Sequence, residues 1–254
     1  MSMVLNAISK AAFDWPCDSI RGRVLRRSLR VVPSNLTVSV IAGPARGIMW
    51  KTGAGPADFW LGDYEIEKAK LIAKCVKPGG VVYDIGANVG FYSLIASRKV
   101  GSTGRVIAFE PSPRNLRFLY QHLALNSIAN VTVLDLAVTD IEGETEFFVG
   151  KDPRISRITV GGDIRVRTTT LDRLIETLPP PDLIEMDIEG TEYSALRGAE
   201  QLLRKSNPVI FLSTHGRDIH RACCEVLRRH GYKLHAIGFS SIEETDELFC
   251  TRDS

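Results

Sequence analysis

The chain lacks any long apolar run. No segment approaches the roughly 20 consecutive apolar residues that span a bilayer, so the sequence predicts no transmembrane segment. It also lacks the order of charge, apolar stretch and small-residue cleavage site that marks a secretory leader. Met1–Phe13 is only mildly apolar, and Asn6, Ser9 and Lys10 interrupt it. Cysteine is scarce and unpatterned. Cys17, Cys75, Cys223, Cys224 and Cys250 are odd in number, and the adjacent pair suits neither a zinc site nor a mutual disulfide. Reduced thiols and a cytoplasmic protein are the expectation. There is no large excess of either charge. The formal net charge is +2, so no global electrostatic argument favours nucleic acid, and no nucleic-acid partner is expected. Internal repeats and low-complexity tracts are absent too.

What is present fits a soluble globular protein. Of 254 residues, 44% are hydrophobic and 24% charged, which is enough to bury a sizeable core. The charge is uneven. Residues 1–60 hold eight Lys/Arg against three acids, and the excess sits in Arg21–Arg30. That stretch reads as a solvated helix face or as a contact for an anionic surface, such as a peripheral membrane contact. Val4–Phe13 and Arg21–Arg30 have helical patterns, and Leu36–Ile41 alternates like a strand. Residues 1–60 are therefore expected to form an N-terminal elaboration contacting substrate or another copy of the chain, and residues 61–254 the main domain. A homodimer is compatible with this division.

From residue 61 strands and helices alternate. The patterns predict helices over Asp63–Lys74, Phe91–Arg98, Pro113–Leu125, Leu171–Glu176, Tyr193–Arg204 and Asp218–His230. Strands are predicted over Val81–Ile85, Val106–Glu110, Val131–Leu136, Glu144–Val149, Arg165–Thr169, Leu183–Asp187 and Val209–Leu212. Lys233–Ile237 and Glu247–Thr251 close as a hairpin. The expected fold class is α/β, a doubly wound, mostly parallel, Rossmann-like sheet with an antiparallel C-terminal edge.

Residues 81–90, Val-Val-Tyr-Asp-Ile-Gly-Ala-Asn-Val-Gly, are the most informative stretch. They read as a strand, a glycine turn and the start of a helix. Twenty positions later Glu110 ends the next strand, where a carboxylate can accept both hydroxyls of a ribose. The dinucleotide fingerprint needs a middle glycine beside a pyrophosphate; this chain has Asn88 instead. S-adenosylmethionine has no phosphate and suits the substitution. On that reading Asp84 faces its ammonium, Gly86 and Gly90 admit its amino-acid part, and Glu110 holds the ribose. Asp135, Leu136 and Ala137 edge the adenine, and Asp187 lies beside the reacting methyl. Helix capping is the alternative for any single one of these acids.

Together, Asp-Ile-Gly-Ala-Asn-Val-Gly-Phe-Tyr-Ser, Phe-Glu-Pro-Ser-Pro-Arg-Asn, Asp-Leu-Ala-Val-Thr-Asp and Met-Asp-Ile-Glu-Gly-Thr-Glu resemble the FkbM family of S-adenosylmethionine-dependent methyltransferases. The likeness runs from Gly62-Asp63-Tyr64-Glu65 to His215. It implies O-methylation of a hydroxyl on a sugar, glycolipid or other natural product, with a small-molecule or glycan acceptor. It adds Tyr64, Glu65, Ala87, Asn88, Pro111, Ser112 and Asn115 to the cofactor-binding set. Two positions depart from the family pattern. Glu185 stands where a lysine is usual, and Ser213-Thr214-His215 where Glu-x-His is usual.

Methyl transfer to an alcohol calls for a base near the end of the fourth strand. Asp187, Glu189 and His215 are the catalytic candidates, with His215 or Glu189 as base. No third ligand beside Asp187 and Glu189 is evident, so no metal is expected. The Lys151–Gly162 loop, with Arg154 and Arg157, is a candidate lid. Trp50, Phe59 and Trp60 read as core or as an aromatic wall. A nucleic-acid methyltransferase is the weaker alternative, because the Asn/Asp-Pro-Pro-Tyr/Phe motif is missing at Asp187-Ile-Glu-Gly. A non-catalytic binder of adenosyl ligands is another.

Overall fold

The computed structural model describes residues 32–150 and 152–253. The helices expected at Val4–Phe13 and Arg21–Arg30, the basic stretch and Cys17 lie outside the described residues.

A short antiparallel pair opens the described chain: β1 (Thr37–Ser39) and β2 (Met49–Lys51), followed by α1 (Ala57–Leu61) and α2 (Ile66–Cys75). Then come β3 (Val81–Ile85), α3 (Phe91–Val100), β4 (Arg105–Phe109), α4 (Pro113–Leu125) and β5 (Val131–Leu134). An insertion follows: β6 (Ala137–Val138), β7 (Gly143–Phe148), β8 (Arg157–Ile158) and β9 (Ile164–Thr169). The rest is α5 (Leu171–Leu174), β10 (Leu183–Met186), α6 (Glu192–Arg197), α7 (Glu200–Lys205), β11 (Val209–Ser213), α8 (Arg217–Arg229), β12 (Lys233–Ala236) and β13 (Glu247–Thr251).

The central sheet has seven strands in the order β12-β13-β11-β10-β3-β4-β5. Five are parallel, and β13 runs antiparallel between β11 and β12. Both faces are covered, as a parallel sheet requires. Alternation along each strand sends Val82, Val106, Ala108, Leu183 and Phe211 to one core cluster, with α2 and α3 residues such as Ala69, Ile72, Leu94 and Ile95. It sends Tyr83, Ile107, Ile184, Met186, Ile210 and Leu212 to the other, under α6, α7 and α8. The first cluster also takes in Val40, Ile48, Trp50, Phe59 and Trp60, so it runs across residue 60. These aromatics are core.

The insertion forms its own four-stranded sheet, β6-β9-β7-β8, around Ala137, Phe147 and Val166. The predicted Tyr193–Arg204 helix is split in two. Gly198 packs so tightly that a Cβ there would sit 2.2 Å from the Thr139 carbonyl oxygen, and α7 restarts after Ala199. Among the described residues Cys75, Cys223, Cys224 and Cys250 are free thiols, and no helix is long and apolar enough to cross a membrane.

Candidate active site

The C-terminal ends of β3, β4, β5 and β10 open onto a cleft of about 580 Å³ of atom-free space. Tyr64, Gly86, Asn88, Glu110, Pro111, Asn115, Leu136, Ala137, Asp187 and Glu189 line it, so most of the expected site residues converge there. Ligands of open α/β sheets bind at this edge.

The glycine turn is built for close approach. Gly86 has φ +90°, and a Cβ on it would meet the Asp187 carbonyl oxygen at 1.9 Å, so no other residue fits. The Gly86 and Ala87 N–H groups both donate to the Phe109 carbonyl, which hangs the turn on the end of β4. Glu110 accepts from the Asn88 N–H at 2.8 Å and the Ser112 N–H at 2.7 Å. These bonds, with one from the Asn115 side chain, fix the carboxylate between the turn and the start of α4. Burial pushes the Glu110 pKa up to about 7 against those hydrogen bonds.

Several expected site residues serve from behind. Asp84 is 1% exposed, accepts from Ser93 of α3 and does not face the cleft. Ala87 and Gly90 are buried in the turn, and Ser112 acts through its N–H. Asp135 differs from expectation. It is exposed and pairs with Arg167 of β9, because β5 ends at Leu134 and the chain turns there into β6. Leu136 and Ala137 alone of that trio reach the cleft. Glu65 turns inward to Lys68 and accepts from Tyr92 Oη at 2.6 Å.

Lys68 was invisible as a site residue in the sequence. It is 2% exposed, and its ammonium lies 2.9 Å from Glu185, 3.1 Å from Glu247, 3.4 Å from Glu65 and 2.5 Å from Ser213 Oγ. Burial pulls its pKa down, but Glu185 first, then Tyr92, Glu65 and Glu247, hold it well above the lysine value. The arrangement follows from strand parity. Asp84 faces Glu185 across β3–β10, and Ser213 faces Glu247 across β11–β13, all on the sheet face that α2 covers. Two carboxylates directly opposed would repel; Lys68, on the same stripe of α2 as Ala69 and Ile72, offsets part of the row's charge, and burial raises the pKa of both Asp84 and Glu185. Glu185 and Ser213 thus lie beneath the site, outside its lining.

At the other end of the cleft, Asp187, Glu189 and His215 meet. His215 Nε2 is 3.6 Å from Asp187 Oδ1 and 3.4 Å from Glu189 Oε2, while Nδ1 is 2.9 Å from Glu192 Oε1. Glu192 is fully buried and also accepts from the Gly190 N–H at 2.9 Å. Burial opposes protonation of His215, but the Glu192 hydrogen bond, Asp187 and Glu189 raise its pKa to about 9. Burial, then Asp187 and Glu192, raise Glu189 to about 7 against the pull of His215. Donor atoms of Asp187, Glu189 and His215 lie within 4.8 Å of one another, close enough for the three to share a metal ion, so His215 stands where the sequence offered no third candidate ligand.

From the segment expected as a lid, Arg154, Ser156 and Ile158 line the cleft, and Phe147 of β7 joins them. Arg154 is held by Asp152, with Nη2 to Oδ2 at 2.8 Å. The chemistry of the lining suits an adenosyl amino acid. An apolar slot (Leu136, Ala137, Phe147, Ile158) gives way to a fixed carboxylate and then to an acidic end.

The FkbM methyltransferase domain model matches residues 84–234. The hexuronic acid methyltransferase AglP of Haloferax volcanii is 25% identical over 150 residues, 58% of this chain and 61% of that protein. A Schizosaccharomyces pombe protein named for ribosomal RNA methylation is 35% identical over 83 residues, 33% of this chain and 28% of its own length. The chain thus spans less than two thirds of these curated relatives. The structure of an FkbM methyltransferase from Methylobacillus flagellatus superposes with a TM-score of 0.51 at 20% identity, over 76% of this chain and 52% of that one, a likeness of fold. Glycine turn, sheet order and domain match agree: the chain belongs to the FkbM family of S-adenosylmethionine-dependent methyltransferases.

Proposed function

We propose that this protein methylates a hydroxyl oxygen of a sugar, on a free glycan or a glycolipid. The observation that carries the reading is the meeting of Asp187, Glu189 and His215 at one end of the cofactor cleft. Likeness to a hexuronic acid methyltransferase supports a sugar acceptor.

Gly86, Asn88, Glu110, Asn115, Leu136 and Ala137 would hold the cofactor, with Glu110 toward the ribose. When bound, S-adenosylmethionine supplies an electrophilic methyl group on a sulfonium. Glu189, with a pKa of about 7, takes the acceptor's hydroxyl proton. His215, an imidazolium at neutral pH, offsets the charge of Asp187 and Glu189 and aims by its bond to Glu192. A second reading places a divalent cation among the same three donors, where it would acidify the hydroxyl.

Isotope-labelled methyl donor and a panel of glycans test the proposal. Label on a sugar oxygen is expected, with turnover falling about 100-fold in Glu189→Gln. Activity surviving chelation puts a proton, not a cation, on His215 Nε2. Label on nitrogen, carbon or RNA overturns the sugar reading.

A further inference from the structure

His215 has two sides. One meets Asp187 and Glu189 in the cleft; the other lines a second, larger depression of about 1800 Å³ of atom-free space that includes open solvent. This groove runs between α8 and the β12–β13 connection. His215 thus lines the groove while its Nε2 faces the two carboxylates of the cleft.

The two walls of the groove carry opposite charge. Arg217, Arg221 and Arg228 stand on the α8 wall. At 3.6 residues per turn they fall within roughly 40° of the helix circumference, so they form one exposed stripe. Arg221 has a loose partner, Asp218 at 3.9 Å, with both side chains exposed. Arg217 and Arg228 make no ion pair with a described residue. The far wall carries Glu243, Glu244 and Asp246, and Phe239 stands 56% exposed at its edge. His220, at the base, is occupied, with Nδ1 2.9 Å from Thr214 Oγ1.

That combination selects a ligand class. Guanidinium groups with free donors take carboxylate or phosphate oxygens in bidentate fashion. Carboxylates across the groove accept hydrogen bonds from hydroxyls, and an exposed aromatic face offers a stacking surface for a ring. A neutral sugar leaves the arginines unused; a simple anion leaves the acids unused. A hydroxyl-rich anion uses both walls.

We infer that this groove binds an anionic sugar of the acceptor, its acid group on Arg217, Arg221 and Arg228 and its hydroxyls toward Glu243, Glu244 and Asp246. The inference rests on the sugar O-methyltransferase reading and specifies its substrate: a uronate or a sugar phosphate. Presented past His215, the ring or its neighbour offers a hydroxyl to Glu189.

Calorimetry on the full chain tests this with three probes of equal length: a glucuronate-containing oligosaccharide, its methyl ester and the corresponding sugar phosphate. S-adenosylhomocysteine is titrated in parallel. At least one anionic probe is expected to bind about tenfold tighter than the ester, and which one does so names the acid. The triple variant Arg217→Gln/Arg221→Gln/Arg228→Gln should abolish that preference and leave S-adenosylhomocysteine affinity unchanged. These side chains are exposed, so the fold is expected to survive, and an unchanged thermal midpoint checks it. Equal affinity for ester and anions, no binding of any probe, or an anionic preference that persists in the triple variant overturns the inference. Failure of S-adenosylhomocysteine to bind instead overturns the methyltransferase reading beneath it.

Discussion

His215 is tied at Nδ1 to a fully buried carboxylate and faces two more at Nε2. Its native pKa, about 9, lies above the unperturbed 6.5, so its contribution to stability is complete below pH 6.5 and is lost as pH rises through 9. His215→Gln should therefore lower the thermal midpoint by a few degrees at pH 6 and by almost nothing at pH 10. A midpoint difference independent of pH would show that the histidine is neutral in the folded protein. Glu110 was legible from the sequence because its place depends on one strand and one turn. Asp135 was misread for the complementary reason. Its orientation depends on where β5 stops and on Arg167, 32 residues away on the insertion.

At the scale of elements, α2 carries what single-strand patterns conceal. Glu185 and Ser213 stand out as departures from the family pattern, yet neither reaches the cleft lining. Their partner, Lys68, sits on a helix whose apolar stripe at Ala69 and Ile72 is plain in the sequence. A lysine on such a stripe signals a buried acid, but which acid depends on the register of four strands. The row also joins the cover of the site to its floor, because Lys68 pairs with both Glu65, next to cleft-lining Tyr64, and Glu185. Lys68→Met leaves buried carboxylates unpaired, a change that costs about 3–5 kcal/mol. The thermal midpoint should fall by roughly 10 °C, and adding Glu185→Leu should recover part of that loss. A wild-type midpoint in Lys68→Met would show that the cluster contributes nothing. His122 plays a similar linking part. Its Nδ1 is 2.7 Å from the Val89 carbonyl of the glycine turn, while Nε2 accepts from the Lys51 N–H at 3.0 Å. Burial first, with Lys51, keeps its pKa down at about 4, and it stacks on Trp50 at 4.0 Å, so the short β1–β2 pair braces the glycine turn.

Across the whole molecule, the β12-β13-β11-β10-β3-β4-β5 order places every strand end that touches the cleft on one edge. The alternation of strands and helices made that edge readable, including the antiparallel hairpin. In the insertion between β5 and α5 the sequence pattern shows only two strands and a loop, because its sheet closes through a parallel contact between β6 and β9 that no local pattern announces. That insertion supplies Phe147, Arg154 and Ile158 to the cleft, and α8 with the terminal hairpin supplies the groove beyond His215. The central claim is that this edge holds an adenosyl sulfonium, with Glu110 on its ribose. Calorimetry of wild type and Glu110→Ala with S-adenosylmethionine and with NAD tests it most directly. The wild type should bind S-adenosylmethionine and not NAD, and Glu110→Ala, still folded, should bind it about tenfold more weakly, one charge-assisted hydrogen bond's worth. NAD binding, or an affinity for S-adenosylmethionine unchanged by the substitution, would contradict it.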